Sequence, residues 1–122
     1  MSPASAGTDD AERLRQVKAE LFGALANPLR IRVLELLRAG PMSVSQIQEA
    51  TAAPASSVSQ QLAVLRNRGV VATERRGTTI LYRAADPRLF ELLDVARRIL
   101  TTRLTGTIDL LRLAEDETAE AR

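Results

Sequence analysis

Between Pro54 and Val71 the chain reads PASSVSQQLAVLRNRGVV, and two kinds of chemistry alternate along it. Ser56, Ser57, Ser59, Gln60 and Gln61 carry hydroxyls and primary amides, groups that hydrogen-bond base edges and phosphates. Val58, Leu62 and Leu65 recur at helical spacing, with Ala63 and Val64 beside them. Arg66 and Arg68 make the end basic, and Gly69 is a helix stop signal. One helix face therefore buries aliphatic side chains while the other displays only Ser, Gln and Arg. Small residues in the first turn let such a helix enter a major groove, because nothing bulky holds it off. An ordinary surface helix has the same pattern, its serines merely capping and solvating the start. The neighbouring segments decide between the two.

A second cationic group lies just downstream. Arg75 and Arg76 precede Gly77 and Thr78, between two runs rich in β-branched residues, Val70–Glu74 and Thr78–Arg83. A glycine there supplies the positive φ of a tight hairpin turn, so the reading is a two-stranded ribbon with a cationic tip. Arg75, Arg76 and Thr78 would meet phosphate or the minor groove rather than read bases; the alternative is a solvated turn. From Ser56 to Arg83 there are five arginines against one acid, Glu74. After Leu113 the balance reverses, with Glu115, Asp116, Glu117 and Glu120 against Arg122. A basic middle and an acidic end point to a localised anionic partner.

Other chemistries find little support. The 122 residues contain no histidine and no cysteine. The usual general base, soft-metal ligand and thiol nucleophile are therefore missing. A serine nucleophile would have to rely on Lys18, the sole lysine, and there is no glycine-rich phosphate loop. Acidic side chains such as Glu91, Asp94 and Asp109 read as a solvated face rather than a cation site. The reading is a protein without enzymatic activity, cofactor or metal. No apolar run approaches a bilayer span, and no signal-peptide pattern opens the chain, which suits a cytoplasmic protein.

The flanking elements must position the polar helix. Hydrophobic content of 45% allows one modest core, built from Leu, Val, Ile and Ala because Phe22, Phe90 and Tyr82 are the only aromatics. Residues 1–8 read as disordered, residues 9–113 as one domain and residues 114–122 as an acidic tail. Asp9 or Asp10 caps a first helix whose stripe is Leu14, Val17, Leu21 and Leu25. Asn27-Pro28 breaks it and starts a second helix to about Ala39, with Ile31, Leu34 and Leu37 inward and Val33 and Leu36 flanking. Ser43 and Gln46 stand in capping-box register for a short third helix, with Val44, Ile47 and Ala50 inward. A brief turn, Thr51–Ala53, leads to the polar helix. Two short helices so joined make a helix-turn-helix. Asp86-Pro87 opens a long fifth helix carrying Leu89, Leu93, Ala96, Leu100, Leu104, Ile108 and Leu111, with Leu92 and Ile99 widening the stripe. That stripe is longer than one small domain can cover. The fold expected is mainly α with a small β-hairpin: a winged helix-turn-helix of five helices plus a two-stranded wing.

This order resembles the ArsR-type winged-helix repressors of bacteria over about residues 14–112. The resemblance is carried by LANPLRIRVLELL (Leu25–Leu37), SVSQIQEA (Ser43–Ala50), SSVSQQLAVLRNRGVV (Ser56–Val71) and RRGTTILYR (Arg75–Arg83). It implies a transcriptional regulator, a repressor, that binds an inverted-repeat operator in double-stranded DNA and releases it on effector binding. Ser56, Ser57, Ser59, Gln60 and Gln61 then face the groove, while Arg66, Arg75, Arg76 and Thr78 meet the backbone. It also implies a homodimer through the first and last helices, placing Leu14, Val17, Leu21, Leu89, Leu93, Ala96, Leu100, Leu104 and Ile108 in the interface. Many members carry Cys-Val-Cys on the short third helix, where this chain reads Ser43-Val44-Ser45, and others place histidine on the last helix, which here has none. Serine hydroxyls bind soft or borderline ions poorly, so no metal site is carried over. The alternative is a winged-helix protein-interaction module or co-regulator subunit, its effector sensed by a partner protein.

Overall fold

Asn27 and Pro28 set the first corner of the chain. The Asn27 side chain accepts a hydrogen bond from the Arg30 backbone N–H at 3.1 Å, and Pro28 occupies the first turn of helix α2, Pro28–Leu37. Ahead of it runs α1, Pro3–Leu25. The computed structural model describes residues 3–103 and 112–117. Helix α1 starts at Pro3 rather than at Asp9 or Asp10, so residues 3–8, expected without structure, extend the helix. Proline is welcome in a first turn, and Ala4 and Ala6 are the strongest helix formers, so propagating the helix backwards costs little.

The helix-turn-helix follows. Strand β1, Met42–Ser43, leads straight into α3, Val44–Thr51. The capping box is complete: the Ser43 hydroxyl accepts from Gln46 N at 3.2 Å, and Ser43 N donates to Gln46 Oε1 at 2.9 Å. Thr51 closes the helix by donating to the Ile47 carbonyl at 2.9 Å and accepting from Ala53 N at 3.3 Å. Ala52 then turns the chain in the left-handed region, φ 58°. Helix α4 spans Ala55–Asn67. Its end is a Schellman motif, with Val70 N bonded to Leu65 O at 2.9 Å and Gly69 N to Arg66 O at 3.0 Å. Gly69 takes the φ of 70° that this motif requires.

Strands β2, Val71–Arg76, and β3, Thr79–Ala84, form an antiparallel hairpin with Arg76 opposite Thr79. The two-residue turn is Gly77-Thr78, with Gly77 at φ 63°, the primed geometry that suits strand twist. Two sequence expectations change here. The sheet has three strands in the order β1-β3-β2, because Met42 and Ser43 pair with Tyr82 and Leu81. A two-residue strand has no period to detect. Arg75 and Arg76 lie within β2, not in the turn, so their side chains alternate to opposite faces of the ribbon.

The core of the first compact unit, Met1–Pro87, is aliphatic: Ala24, Val33, Leu34, Leu37, Ile47, Val58, Leu62, Leu65, Val70 and Val71 are all buried. The stripe Val58, Leu62 and Leu65 is fully buried, as its spacing predicts. On α2, Val33 rather than Ile31 is buried beside Leu34 and Leu37; Ile31 is half-buried. On α3 the inner face narrows to Ile47, with Val44 half-buried and Ala50 exposed, because eight residues bury little more than one turn. The second compact unit, Arg88–Arg122, contains helix α5, Arg88–Arg103. Its helix begins after the Asp86-Pro87 pair rather than on it.

Ala52 carries a conformational cost of about 1 kcal/mol, because its Cβ crowds the carbonyl in the left-handed region. Ala52→Gly should therefore raise stability by about that amount, read as a higher urea midpoint; a lower midpoint would contradict it.

Candidate nucleic-acid interface

Helix α4 has a polar outer face because its inner face is fully committed. With Val58, Leu62 and Leu65 at 0% exposure, the 3.6-residue period turns Ser56, Ser59, Gln60, Ala63 and Arg66 to solvent. Ser57 sits half-buried at the margin. The side chains of Ser56, Ser57, Ser59 and Gln60 have no hydrogen-bond partner among the described residues. The helix start is Pro54, and no side chain caps it. The serines are therefore not spent on closing the helix, and its first N–H groups lie at the positive end of the dipole.

Gln61 differs from its neighbours. It is half-buried, and its Oε1 accepts from Arg30 Nη1 at 2.8 Å. The sequence placed it with the groove-facing residues; the structure ties it to α2. A hydrophilic residue at the margin of a stripe reads as outward, and no local signal betrays an arginine 31 residues away. Arg68, two residues beyond Arg66, donates to the Glu20 carbonyl at 3.4 Å; both arginines are exposed.

On the hairpin Arg75 is exposed, and its cross-strand partner is Ile80, itself 50% exposed. Arg76 lies 3.7 Å from Glu74 on the opposite face, an exposed pairing of small worth. Thr78 is exposed in the turn. Tyr82 is half-buried on the central strand.

The residues read as a dimer interface divide. Leu14 and Val17 on α1 are exposed, at 55% and 59%, and Leu21 is half-buried. On α5, Leu89 is already buried within the chain, Leu93 is half-buried, and Ala96 and Leu100 are exposed. Leu104, Ile108 and Leu111 lie outside the described residues. Among the described residues no three His, Cys, Asp or Glu side chains gather into a metal-binding group. The Ser43 hydroxyl, at the position where the family resemblance leads one to look for a cysteine, is occupied by the helix cap.

A tri-helical core, a short turn before an outward polar helix and a three-stranded wing together define a winged helix-turn-helix domain. The arsR-family profile of bacterial regulatory proteins matches residues 27–73. The HTH-type transcriptional regulator Rv0081 of Mycobacterium tuberculosis is 43% identical over 103 residues, 84% of this chain and 90% of that protein. Its crystal structure superposes with a TM-score of 0.71 at 44% identity, over 78% of this chain and 96% of that one. The regulator NmtR of the same organism is 42% identical over 71% of this chain and 72% of its own length. The homodimeric winged helix-turn-helix DNA-binding domain Mb0332 of Mycobacterium bovis superposes with a TM-score of 0.67 at 33% identity, over 84% of this chain and 93% of that one. This chain belongs to the arsR family of bacterial transcriptional regulators.

Replacing Arg75 and Arg76 together by Ala should weaken binding to all duplexes about equally and flatten the salt dependence by about one or two units. Arg75 should account for the larger share, since Arg76 already has Glu74 beside it. Affinity measured from low to moderate salt checks both; an unchanged slope would remove the wing from the phosphate contacts.

Proposed function

We propose that two copies of this chain bind an inverted-repeat operator in double-stranded DNA, in the cytoplasm, and repress transcription from it. The observation that carries the reading is the outward face of α4: Ser56, Ser59 and Gln60 are exposed and have no partner among the described residues. A short amide or hydroxyl side chain so placed can donate to and accept from a base edge. Gln60, with both ends of its amide open, suits adenine. Ser57 supports it from the margin. The uncapped N–H groups at the start of α4 suit a phosphate, as do Arg66, Arg75, Arg76 and Thr78. Phosphate contacts then supply most of the affinity, and the α4 face supplies the choice of sequence.

The second copy is inferred from apolar surface. Leu14 and Val17 on α1, and Val95, Ile99 and Leu100 on α5, are between 41% and 59% exposed. Covering a leucine side chain is worth about 1.5–3 kcal/mol, so these faces favour association. The homodimeric state of the Mycobacterium bovis relative supports an assembly of two copies. Leu89 is left out of that interface because it is buried in the single chain.

A gel shift with the chain's own upstream DNA, against excess unrelated duplex, tests the function; equal affinity for both would defeat it. Val17→Glu with Leu100→Glu should give folded monomers, since both positions are exposed, and those monomers should lose operator binding. A variant that sediments as a dimer would exclude this interface. Gln60→Ala should relax base preference at one position per half-site, costing about 1–3 kcal/mol there, while non-specific affinity hardly moves. Binding across all single-base operator variants decides: an unchanged preference profile would remove Gln60 from the reading set.

A further inference from the structure

Arg30 lies in the first turn of α2, and its half-buried side chain turns back across two other helices. Nε donates to the Ala24 carbonyl at 2.7 Å, and Nη2 donates to the Gly23 carbonyl at 3.2 Å. Both carbonyls belong to the last turn of α1, where the dipole favours a cation; the Gly23 carbonyl also accepts from Ala26 N at 3.2 Å. Nη1 donates to Gln61 Oε1 at 2.8 Å, in the second turn of α4. All three nitrogens of the guanidinium are thus engaged inside the protein. Because a guanidinium has only donors, the Gln61 amide must turn its oxygen to Arg30, leaving only its N–H groups for anything else. Gln61 therefore cannot make the bidentate adenine contact open to Gln60.

Arg68, at the C-terminal cap of α4, donates to the Glu20 carbonyl at 3.4 Å. Gln61 and Arg68 stand two turns apart on one edge of α4. That edge is tied to the last turns of α1 at both levels, through Arg30 at one and directly at the other. Ser56, Ser59 and Gln60 stay free of it. The buried stripe of α4 fixes how deep the helix sits, and its close packing holds the coarse roll of the helix. The hydrogen bonds along the edge are directional and bear on the fine setting of that roll.

We propose that Arg30 is a positioning residue for DNA reading, locking Gln61 and the carbonyl end of α1 into one unit that sets the fine roll of α4. This rests on the reading of α4 as the groove-facing helix. It moves Gln61 from a base contact to part of the mount. Because α1 also carries the exposed apolar residues Leu14 and Val17, the same unit links the face offered to a second copy with the face offered to DNA. Lysine would keep the charge at position 30 but not the planar fork that spans three acceptors.

The test uses the full chain and the duplex that the parent protein enriches from a randomised pool, with a scrambled duplex as control. Arg30→Lys should lower affinity for the selected duplex about tenfold, the scale of one lost charge-assisted hydrogen bond. Affinity for the scrambled duplex and the salt slope should stay at parental values. Gln61→Ala, which leaves the α1 carbonyls bonded and the fold intact, should show the same selective loss. The double variant should lose little more than the worse single one, because both break one unit. Equal losses on both duplexes with a shallower salt slope would make Arg30 a phosphate contact instead. Additive losses would mean that the two residues act separately. A lowered urea midpoint with discrimination at the parental level in both variants would leave Arg30 a purely structural residue and overturn the proposal. If the parent enriches no duplex, the groove-facing assignment of α4 fails and the positioning role falls with it, an outcome distinct from any change confined to the variants.

Discussion

Helix α4 can bury only one face, and the rest of the first unit follows from that constraint. Val58, Leu62 and Leu65 are wholly removed from water together with Val33 and Leu34 of α2 and Ile47 of α3. No aromatic side chain contributes to this fully buried set, so close approach of small aliphatic side chains has to supply the packing. A helix held so firmly from behind needs no contribution from its outer face. Its serines and glutamine are therefore released from any duty to the fold. The same division explains why the helix start dispenses with a side-chain cap: burial of the stripe holds what a cap would otherwise secure.

Much of this was legible in the residues themselves. The capping box at Ser43 and Gln46, the break at Asn27-Pro28, the stop at Gly69 and the stripe on α4 are local signals, each set by backbone hydrogen bonding or by a helical period. They appear where the spacing puts them. What escaped was non-local. Strand β1 exists because β3 lies alongside it, and two residues before a helix cap carry no pattern of their own. The glycine after Arg75 and Arg76 points to a turn at all three residues, but the ladder runs on to Arg76 opposite Thr79. Leu89 belonged to the right stripe, yet it is buried within the chain, which periodicity alone does not distinguish from a surface for a second copy.

The candidate site divides in the same way. The polar residues of the first turns of α4 were readable because small hydroxyl and amide side chains opposite an aliphatic stripe form a one-helix pattern. Gln61 was not separable from Gln60, since adjacent identical residues differ only in where the helix turns them. Arg30 gave no sign at all: within α2 it looks like one more basic residue between apolar ones. Only the meeting of α1, α2 and α4 reveals that its three nitrogens have separate destinations.

Ser43 serves two structures at once. Its backbone belongs to the ladder opposite Leu81, and its side chain starts α3. The hairpin and the helix-turn-helix therefore share an atom-level joint, with no slack residue between them. A ribbon that swung away would have to tear the β1–β3 pairing or unwind the first turn of α3. The base of the ribbon is therefore set against the start of α3 as two walls are set by a shared corner post. On the reading that both features meet DNA, such a joint would make a duplex with differently spaced grooves bend to the protein rather than the reverse.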